Sequence, residues 1–495
     1  MKWANFLHFY QPVNQQPDIL EAIVAQSYRP VIEGIKKHKR VRLTLNLSGA
    51  LLELLHKNGY KDLIRDIQDL IKEDRIEITG SSKYHALLSF LSPEEIIRQV
   101  TLNTETLQKF FGGYTPQGFF CPEMAYDEKI GEIVEKLGFK WLILDEISCG
   151  GEVGQVDYSQ VYKVKGLKLK VFFRDRRLSN LIMSAVVRSR ETLVEAMGKE
   201  LNSGNYLVTA MDAETFGHHR PGLEKMLFEI FEAPEFELIQ VGEVEKYYQV
   251  EKEVKPSKAT WASSKLEIEK GVQFLSWDDP ENVIHGWQWE FTKLVLKEVY
   301  QMDKKHPRYE MVRGMMDVAL ASDHFWWASA KPWWSLEMIE YGAYNLLQTL
   351  RSIPDVKKEI VEKGRDLYEK IISTAFNWQR SGKIREMMRA QNNILRIPFK
   401  DRTLGRPGAE NVYYAFLSMM ERLEKEAVGR GEYEQAILWR DAIFKLKHKL
   451  DIYDTMNAID LVRVKIPHNE VEKIIVEYED KYRRLRGGQP EQRGS

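Results

Sequence analysis

Short apolar segments alternate with longer amphipathic segments over the first half of the chain. The segments typical of buried β-strands are WANFL (3–7), VRLTLNL (41–47), RIEIT (75–79), GFFC (118–121), KWLIL (140–144), LKVFF (169–173) and YLVTAM (206–211). Helix-length segments lie between several of them, at 18–37, 60–74, 93–111, 127–137 and 191–203. This alternation predicts an α/β fold with a parallel sheet covered by helices. Seven units favour a closed or nearly closed barrel, so we predict a seven-stranded (β/α) barrel over 1–250.

The pattern changes after residue 250. The segment EKEVKPSKATWASSK (251–265) is polar, and we predict a linker or long loop over 251–284. Helical periodicity then dominates, which predicts an all-helical C-terminal part made of a domain over 285–400 and further helices over 401–485. Residues 486–495 are polar and rich in glycine, so they are predicted to be disordered.

Composition narrows the range of partners. Lys plus Arg total 72 and Asp plus Glu total 73, and this net charge of -1 argues against binding to a nucleic-acid backbone. The two cysteines, Cys121 and Cys149, form neither a disulfide framework nor a CxxC zinc site. The N-terminal segment does not resemble a signal peptide, and no apolar run reaches membrane-spanning length. We therefore expect a cytoplasmic protein with no membrane partner.

Polar side chains recur where the predicted strands end. In a parallel barrel, functional groups lie at the C-terminal ends of the strands, on the face built by the following loops. The residues that follow the predicted strands there include His8, Gln11, His85, Glu123, Arg174, Asp212, Glu214 and His218. Glu77 lies within the third strand between two isoleucines, and it points into the barrel if they point outward. One face is therefore predicted to collect acids, bases and amides from several strands.

Two of these residues, Glu123 and Asp212, are carboxylates placed directly after apolar strands. Glycoside hydrolysis uses such a pair, one as nucleophile or base and the other as a protonated acid. The first strand is followed by HFYQPVNQQ, which is unlike a glycine-rich phosphate loop, and the chain has no HxxxH or HExxH spacing around its adjacent histidines. No cofactor or metal is therefore predicted.

Five segments together resemble the signature segments of glycoside hydrolase family 57. In chain order they are HFYQP (8–12), RIEITG (75–80), FFCPEMAY (119–126), TAMDAETFGHH (209–219) and ALASDHFWWAS (319–329). The resemblance implies a retaining enzyme acting on α-glucans, with a seven-stranded barrel followed by a helical region. It places the catalytic nucleophile on Glu123 and the general acid on Asp212. Hydrolysis and transglycosylation both remain open, with a leaning towards the α-amylase-like members.

We also assign supporting roles to the surrounding residues, as hypotheses. His8 and Glu77 would bind sugar hydroxyls, and Glu214 and His218 would form the wall beside the general acid. Arg174 would orient a carboxylate and keep the nucleophile ionised, or else form a structural ion pair with Asp175 or a helix end. The remaining candidates for substrate binding are Gln11, His85, Asp323, Trp326 and Trp327. We expect Asp323 and one of the two tryptophans to complete a cleft between the barrel and the helical domain.

Two alternatives to a glucan-active enzyme remain. A metal-dependent polysaccharide deacetylase would use a related barrel, but it needs an early Asp-Asp pair and an HxxxH pair, and the sequence has neither. A non-catalytic glucan-binding or scaffold protein would keep the barrel and contact partners through residues 424–446. That segment resembles the helical hairpin of UvrB and UvrC proteins, although an ordinary amphipathic hairpin is the more favoured interpretation.

Overall fold

The computed structural model describes residues 1–331, 333–390, 399–404, 410–451, 458–466 and 468–485, so the predicted disordered tail at 486–495 lies outside the described residues. The β-strands are β1 Lys2–Phe9, β2 Leu43–Leu47, β3 Ile76–Thr79, β4 Gly118–Phe120, β5 Trp141–Asp145, β6 Val161–Val164, β7 Lys170–Arg174, β8 Leu207–Asp212, β9 Glu237–Ile239 and β10 Glu251–Val254. All seven predicted strands are present, as β1 to β5, β7 and β8. The sequence analysis missed β6, β9 and β10, which are only three or four residues long.

The strands form two sheets. One has the order β3-β2-β1-β8, with β9 beside β1, and the other has the order β10-β6-β7-β5-β4. The pairings are parallel except that β6 runs antiparallel to β7. The prediction of a parallel sheet in an α/β fold is therefore confirmed.

The described strands do not form the single closed seven-stranded sheet that the sequence predicted. At one seam the sheets meet through a parallel bridge between Gly80 and Phe119, beside the short strands β3 and β4. At the other seam the backbone N–H of Asp175 donates to the carbonyl of Val208 at 2.7 Å. At the first seam, strands of three or four residues offer few pairing positions, so the backbone bridges the seam locally instead of forming a continuous ladder.

Helices cover the outer faces of the two sheets over the first 250 residues. They are Pro17–Ile23, a π-helical turn at Val24–Tyr28, Arg29–Lys37, Gly49–Lys57, Lys61–Lys72, Pro93–Phe110, Glu128–Lys136, Arg176–Met183, Arg190–Met197, Leu223–Glu232 and Val244–Tyr247. The start of Pro93–Phe110 follows from local chemistry, because the Ser92 hydroxyl accepts a hydrogen bond from the Glu95 N–H. Between the sheets, apolar side chains from both, such as Phe6, Phe120 and Val208, form an interior core.

The second half of the chain is helical, as predicted. Its helices are Lys265–Glu269, Val283–Gln301, Tyr309–Ala319, Asp323–Trp326, Leu336–Ser352, Lys358–Ser381, Lys383–Ala390, Phe399–Leu404, Glu410–Gly429, Tyr433–His448, Ala458–Lys465 and His468–Leu485. Phe291 and Leu346 share one hydrophobic core with Leu142 of β5 and Val171 of β7, so this region packs directly on the second sheet. The helices after residue 398 have a core of their own, centred on Phe416 and Trp439.

Within the described ranges, no helix combines the length and the apolar character needed to cross a membrane.

Candidate active site

Glu123 lies in a tight turn immediately after β4. Its backbone has φ 60°, and that of Met124 has φ 48°, so two non-glycine residues in a row adopt the left-handed conformation. The Trp261 indole N–H donates to Glu123 Oε2 at 2.9 Å, and the Trp261 backbone N–H reaches the Glu123 carbonyl at 3.3 Å. The side chain is 18% exposed. The carboxylate is therefore held in place by a segment distant in sequence, yet it stays reachable from solvent.

Burial and the nearby charges of Asp212 and Asp323 together raise the pKa of Glu123 to about 8, although the Trp261 hydrogen bond opposes this shift. Asp212 ends β8, where its backbone lies beside His8 of β1. Burial raises the pKa of Asp212 to about 6, and the charge of Arg174 acts in the opposite direction. Because the charge of Asp212 raises the pKa of Glu123, the two carboxyls are electrostatic neighbours, and Glu123 keeps its proton to a higher pH than Asp212 does.

Glu214 forms a third carboxyl beside the pair. Its Oε1 accepts hydrogen bonds from Gln11 Nε2 at 2.9 Å and from the Tyr28 hydroxyl. Burial and the charge of Asp212 raise the pKa of Glu214 to about 8. The turn that carries Glu214 is fixed by Ser27, whose hydroxyl donates to the Ala213 carbonyl at 2.8 Å. Gln11 and Glu214, predicted from two different signature segments, are therefore in direct contact.

Asp323 belongs to the helical region, and its carboxyl lies near Glu123 and Tyr10. The Tyr10 hydroxyl donates to Asp323 Oδ2 at 2.6 Å, and the Ser322 N–H donates to the His85 carbonyl at 3.1 Å. Burial raises the pKa of Asp323 to about 6, while the Tyr10 hydrogen bond opposes the shift. Because the charge of Asp323 also raises the pKa of Glu123, the two carboxyls are electrostatic neighbours. The helical region thus contributes a carboxyl to this cluster.

Two uncharged imidazoles flank these acids. His8 Nδ1 lies 2.8 Å from Asn46 Oδ1, an arrangement in which the imidazole donates and its Nε2 is left as an acceptor. His85 has φ 57°, and its ring stacks on that of Tyr10 with centroids 4.0 Å apart. Burial lowers the pKa of His8 to about 4 and lowers that of His85 well below its usual value. His85 Nδ1 is 3.9 Å from Glu123 Oε1, so a neutral ring rather than a cation stands beside that acid at neutral pH.

Arg174 ends β7 and is fully enclosed. Its Nη2 donates to Asn180 at 2.6 Å, its Nε lies 3.6 Å from Asp145 Oδ2, and its guanidinium carbon is 5.6 Å from the centre of the Trp261 ring. Its charge lowers the pKa of Asp212, while no such effect on Glu123 is resolved. Asp175, the ion-pair partner suggested by the sequence, instead caps the following helix by accepting from Leu178 N–H at 2.7 Å.

Two predicted site residues have partners outside this cluster. Glu77 accepts from the Thr44 hydroxyl at 2.9 Å and from the Gly242 N–H at 3.1 Å. Burial raises the pKa of Glu77 to about 7. A side chain at Gly242 would place its Cβ 2.5 Å from Glu77 Oε1, so the turn approaches the carboxyl closely only because residue 242 is glycine. His218 Nδ1 lies 2.8 Å from the Gln26 side-chain oxygen, at the surface.

Trp326 ends the short helix that Asp323 begins, and Trp327 is the residue that follows it. Their ring centroids are 5.0 Å apart, and both rings lie close to that of Trp333, at 5.4 and 6.1 Å. Trp326 also packs on a small core that contains Leu87 and Ala125, residues that follow closely after His85 and Glu123. Both indoles are partly exposed, so an aromatic surface adjoins the acid cluster.

The sequence analysis missed Trp261, Tyr10 and Tyr28, which hold three of the carboxyls. Trp261 is a lone large aromatic in a polar segment, and that contrast was the only local signal for it. Tyr10 lies inside HFYQP but had no assigned role. Across the described ranges, no three His, Cys, Asp or Glu side chains converge as metal ligands would. The site offers several convergent carboxyls, neutral imidazoles and a buried guanidinium, a set suited to acid-base and nucleophilic chemistry.

Comparison with known proteins gives consistent matches. The family model for Glycosyl hydrolase family 57 matches residues 5–259. An alpha-amylase from Pyrococcus horikoshii and a 4-alpha-glucanotransferase from Thermococcus litoralis are each 24% identical over 237 residues, which is 46% of this chain and 36% and 35% of their own lengths. The chain therefore aligns with about a third of the length of these relatives.

A solved structure extends the similarity beyond that region. The GH57 branching enzyme of Thermococcus kodakaraensis, determined in complex with glucose, superposes with a TM-score of 0.59 at 14% sequence identity. The match covers 74% of this chain and 94% of that chain. At this level of identity the likeness shows a shared fold.

Proposed function

Because the chain belongs to glycosyl hydrolase family 57, we propose that it is a retaining glycoside hydrolase or transglycosylase acting on α-1,4-glucans such as starch, glycogen and maltooligosaccharides. One observation carries the proposal. Glu123 is a carboxylate held by the Trp261 indole, and its pKa responds to the charge of Asp212, the carboxyl that ends β8 of the other sheet. Relatives named as an amylase and a glucanotransferase support the choice of substrate class.

In the proposed reaction Glu123 attacks the anomeric carbon while the Asp212 carboxyl gives its proton to the departing glycosidic oxygen. A covalent glycosyl-enzyme forms, and Asp212 then takes a proton from water or from an acceptor sugar, which displaces Glu123. The two carboxyl groups of a retaining enzyme stand about 5–5.5 Å apart, and we expect that separation here. Water as acceptor gives hydrolysis, and a sugar hydroxyl gives chain transfer.

The roles of Glu123 as nucleophile and Asp212 as general acid come from the family resemblance, and the pKa values of the two carboxyls alone would not assign them. The charge of Arg174 lowers the pKa of Asp212, which is raised only to about 6, whereas the pKa of Glu123 is raised to about 8. The mechanism needs the opposite order, with the proton on Asp212 when the sugar is bound. We therefore propose that substrate binding moves the proton from Glu123 to Asp212.

The remaining candidates receive roles in the same proposal. The two sheets would act as the wall of a barrel of the family type, with 1–250 as the catalytic domain and 285–400 as the helical domain that completes the cleft. His8, His85, Gln11 and Asp323 would line the subsite at the point of cleavage, which is supported by their contacts around the acid cluster. Trp326 or Trp327 would stack on a flat sugar face.

Two measurements test the proposal. Incubation with maltoheptaose, starch and glycogen should release reducing ends or redistribute chain lengths, and NMR of the first products should show the α-anomer. A 5-fluoro-α-glucosyl fluoride should then trap a covalent adduct on the peptide that contains Glu123. First products in the β-configuration, an adduct on Asp212, acetate release without reducing ends, or tight glucan binding without turnover would each overturn it.

A further inference from the structure

Four polar residues form a row across the first sheet, at the carboxyl ends of its strands. The strand register sets His8 of β1 beside Asp212 of β8 on one side and beside Asn46 of β2 on the other. Asn46 in turn lies beside Thr79, the last residue of β3. The proposed general acid is therefore one end of a row that crosses four neighbouring strands.

The side chains of this row point into the space between the two sheets. Side chains alternate between the two faces along a strand. The neighbouring residues Leu7, Leu45 and Met211 belong to the core that the first sheet shares with its covering helices. Phe6 and Ala210, which share a face with the row, belong to the interior core between the sheets. The row therefore lies on the interior face, level with the carboxyls of the candidate active site.

Hydrogen bonds give the row a direction. The Asn46 Nδ2 group donates to the Thr79 hydroxyl at 3.1 Å, and Asn46 Oδ1 lies 2.8 Å from His8 Nδ1. An amide has separate donor and acceptor ends, so the end that faces His8 can only accept, and the imidazole must donate from Nδ1. Asn46 and Thr79 are both fully buried, so water does not compete for these bonds. The proton of the neutral His8 ring is thereby assigned to Nδ1.

The second ring nitrogen of His8 is left for a ligand. Nε2 lies across the ring from Nδ1, and in this tautomer it carries a lone pair and can only accept a hydrogen bond. Among the residues that the structure describes, none hydrogen-bonds to His8 Nε2. The His8 ring lies 5.2 Å from that of His85 and 6.3 Å from that of Trp261, and both of these residues adjoin the Glu123 carboxyl. A hydroxyl of a sugar bound at Glu123 can supply the missing donor.

We propose that Asn46, held by Thr79, is a positioning residue that fixes His8 as a hydrogen-bond acceptor for a substrate hydroxyl. The identity of that donor rests on the proposed glucan chemistry, whereas the position of the His8 proton does not. A buried acceptor of fixed orientation favours a ligand that presents an O–H to it, because any other ligand leaves the nitrogen unpaired. Asn46 would thus contribute to specificity without touching the sugar.

The position of the His8 proton can be measured without any substrate. In protein labelled with ¹⁵N-histidine, the His8 signals, assigned by their loss in His8→Gln, should show a protonated Nδ1 and an unprotonated Nε2 at neutral pH. Asn46→Leu removes the acceptor, so the proton should redistribute between the two nitrogens. The matched control is Asn103→Leu, a second fully buried asparagine, whose oxygen accepts from the Gly49 N–H, and it should leave the His8 signals unchanged. A proton on Nε2 in the wild-type protein would overturn the proposal.

Asn46→Asp tests the consequence for the substrate. The variant keeps the shape of the side chain, but a carboxylate beside Nδ1 stabilises the protonated ring and should raise the pKa of His8 from about 4. Nε2 then carries a proton at about pH 6 and cannot accept, so kcat/KM on maltoheptaose should fall about tenfold. The ratio of variant to wild-type kcat/KM should recover as the pH rises and the ring loses its second proton. Asn46→Leu adds no charge, so its ratio should stay constant with pH.

The other titratable groups around the His8 ring are Tyr10, His85 and Asp212, and they are the same in every variant. The ratio to wild type therefore removes their own titration. Asn103→Asp places a carboxylate at the control position, and its ratio should not depend on pH. A ratio for Asn46→Asp that stays low at every pH would show that Asn46 serves folding alone and would overturn its positioning role. A wild-type chain that acts on no glucan would refute the proposed function instead, and the ¹⁵N signals would still decide where the His8 proton lies.

Discussion

Buried carboxyls occur in two different settings near the two sheets. Glu123, Asp212, Glu214 and Asp323, which we call the mouth carboxyls, follow strand ends or begin a helix, and three of them, Glu123, Glu214 and Asp323, accept hydrogen bonds from residues distant in sequence. Glu77 lies within β3 and is held by Thr44 of the neighbouring strand and by the Gly242 turn. Burial raises the pKa in both settings, to between about 6 and about 8.

A raised pKa therefore does not by itself identify a catalytic group. The settings differ in what surrounds each acid. The pKa of Glu123 responds to two other mouth carboxyls, whereas the leading influences on Glu77 after burial are hydrogen bonds from the Gly242 N–H and the Thr44 hydroxyl. Convergence of several acids from separate elements is the feature that singles out a reactive site.

Removing either proposed catalytic acid should have the largest effect. Glu123→Gln and Asp212→Asn should each lower kcat on maltooligosaccharides by roughly 10³-fold or more. The first variant loses the nucleophile of the covalent step, and the second loses the group that transfers the proton. Glu77→Gln is the matched control, since it neutralises a buried carboxyl in the other setting, and it should retain most of the activity. A comparable loss in Glu77→Gln would remove the distinction and support the sugar-binding role that the sequence suggested.

Trp261→Phe should have the next largest effect. It keeps the aromatic ring but removes the N–H that stabilises the Glu123 carboxylate, a bond worth about 1.5–3 kcal/mol to a charged acceptor, so kcat should fall about 10- to 100-fold. Because the lost donor favoured ionisation, the acidic limb of the kcat profile should move to higher pH. Trp334→Phe removes a similar N–H bond, to Gln379, and should leave the limb in place.

Glu77→Gln should change stability rather than catalysis. The folded pKa of about 7 lies above the unfolded value near 4.3, so the penalty of burying the charge is absent below about pH 4, grows between about pH 4 and 7, and is fully present above pH 7. The variant should therefore be about 1–2 kcal/mol more stable than wild type at pH 8 and no more stable at pH 4. Urea unfolding at both pH values measures this, with exposed Glu33→Gln as control. An equal gain at pH 4 would show that the pKa is not the cause.

Asp323→Asn should give the smallest shift and in the opposite direction to Trp261→Phe. Above about pH 6 the Asp323 carboxylate is charged and raises the pKa of Glu123. Removing that charge should lower the pKa of Glu123 and move the acidic limb of kcat to lower pH, by roughly one unit or less. If the acidic limb of the kcat profile moves to higher pH instead, Asp323 acts on Glu123 through packing rather than through its charge.

Features set by neighbouring residues could be predicted from the sequence. The seven predicted strands depend on local apolar runs. The N-terminal cap of the helix Pro93–Phe110 depends on the Ser92 hydroxyl. The positions of Glu123 and Asp212 followed from strand ends in the same way. Barrel closure could not be predicted, because the pairing across each seam depends on where short strands such as β4 meet others far away in sequence.

Contacts between distant segments account for the rest of the site. Arg174 was predicted to act on Glu123 or to pair with Asp175, but strand register places it beside Asp145 of β5. Trp261 contacts Glu123 but belongs to the segment 251–284, which was predicted to be a linker because its first part is polar. The likeness of the fifth segment to the family signature was the only sequence evidence that Asp323 would reach the barrel.

The left-handed backbone at Glu123 has an evolutionary consequence. A glutamate at φ 60° is held in a conformation that costs about 1 kcal/mol or more relative to glycine, which adopts it without strain. In a lineage that no longer used the carboxylate, substitution by glycine or asparagine would stabilise the fold and meet no opposing selection. The presence of glutamate here, at a cost in stability, therefore favours a catalytic role over a non-catalytic scaffold.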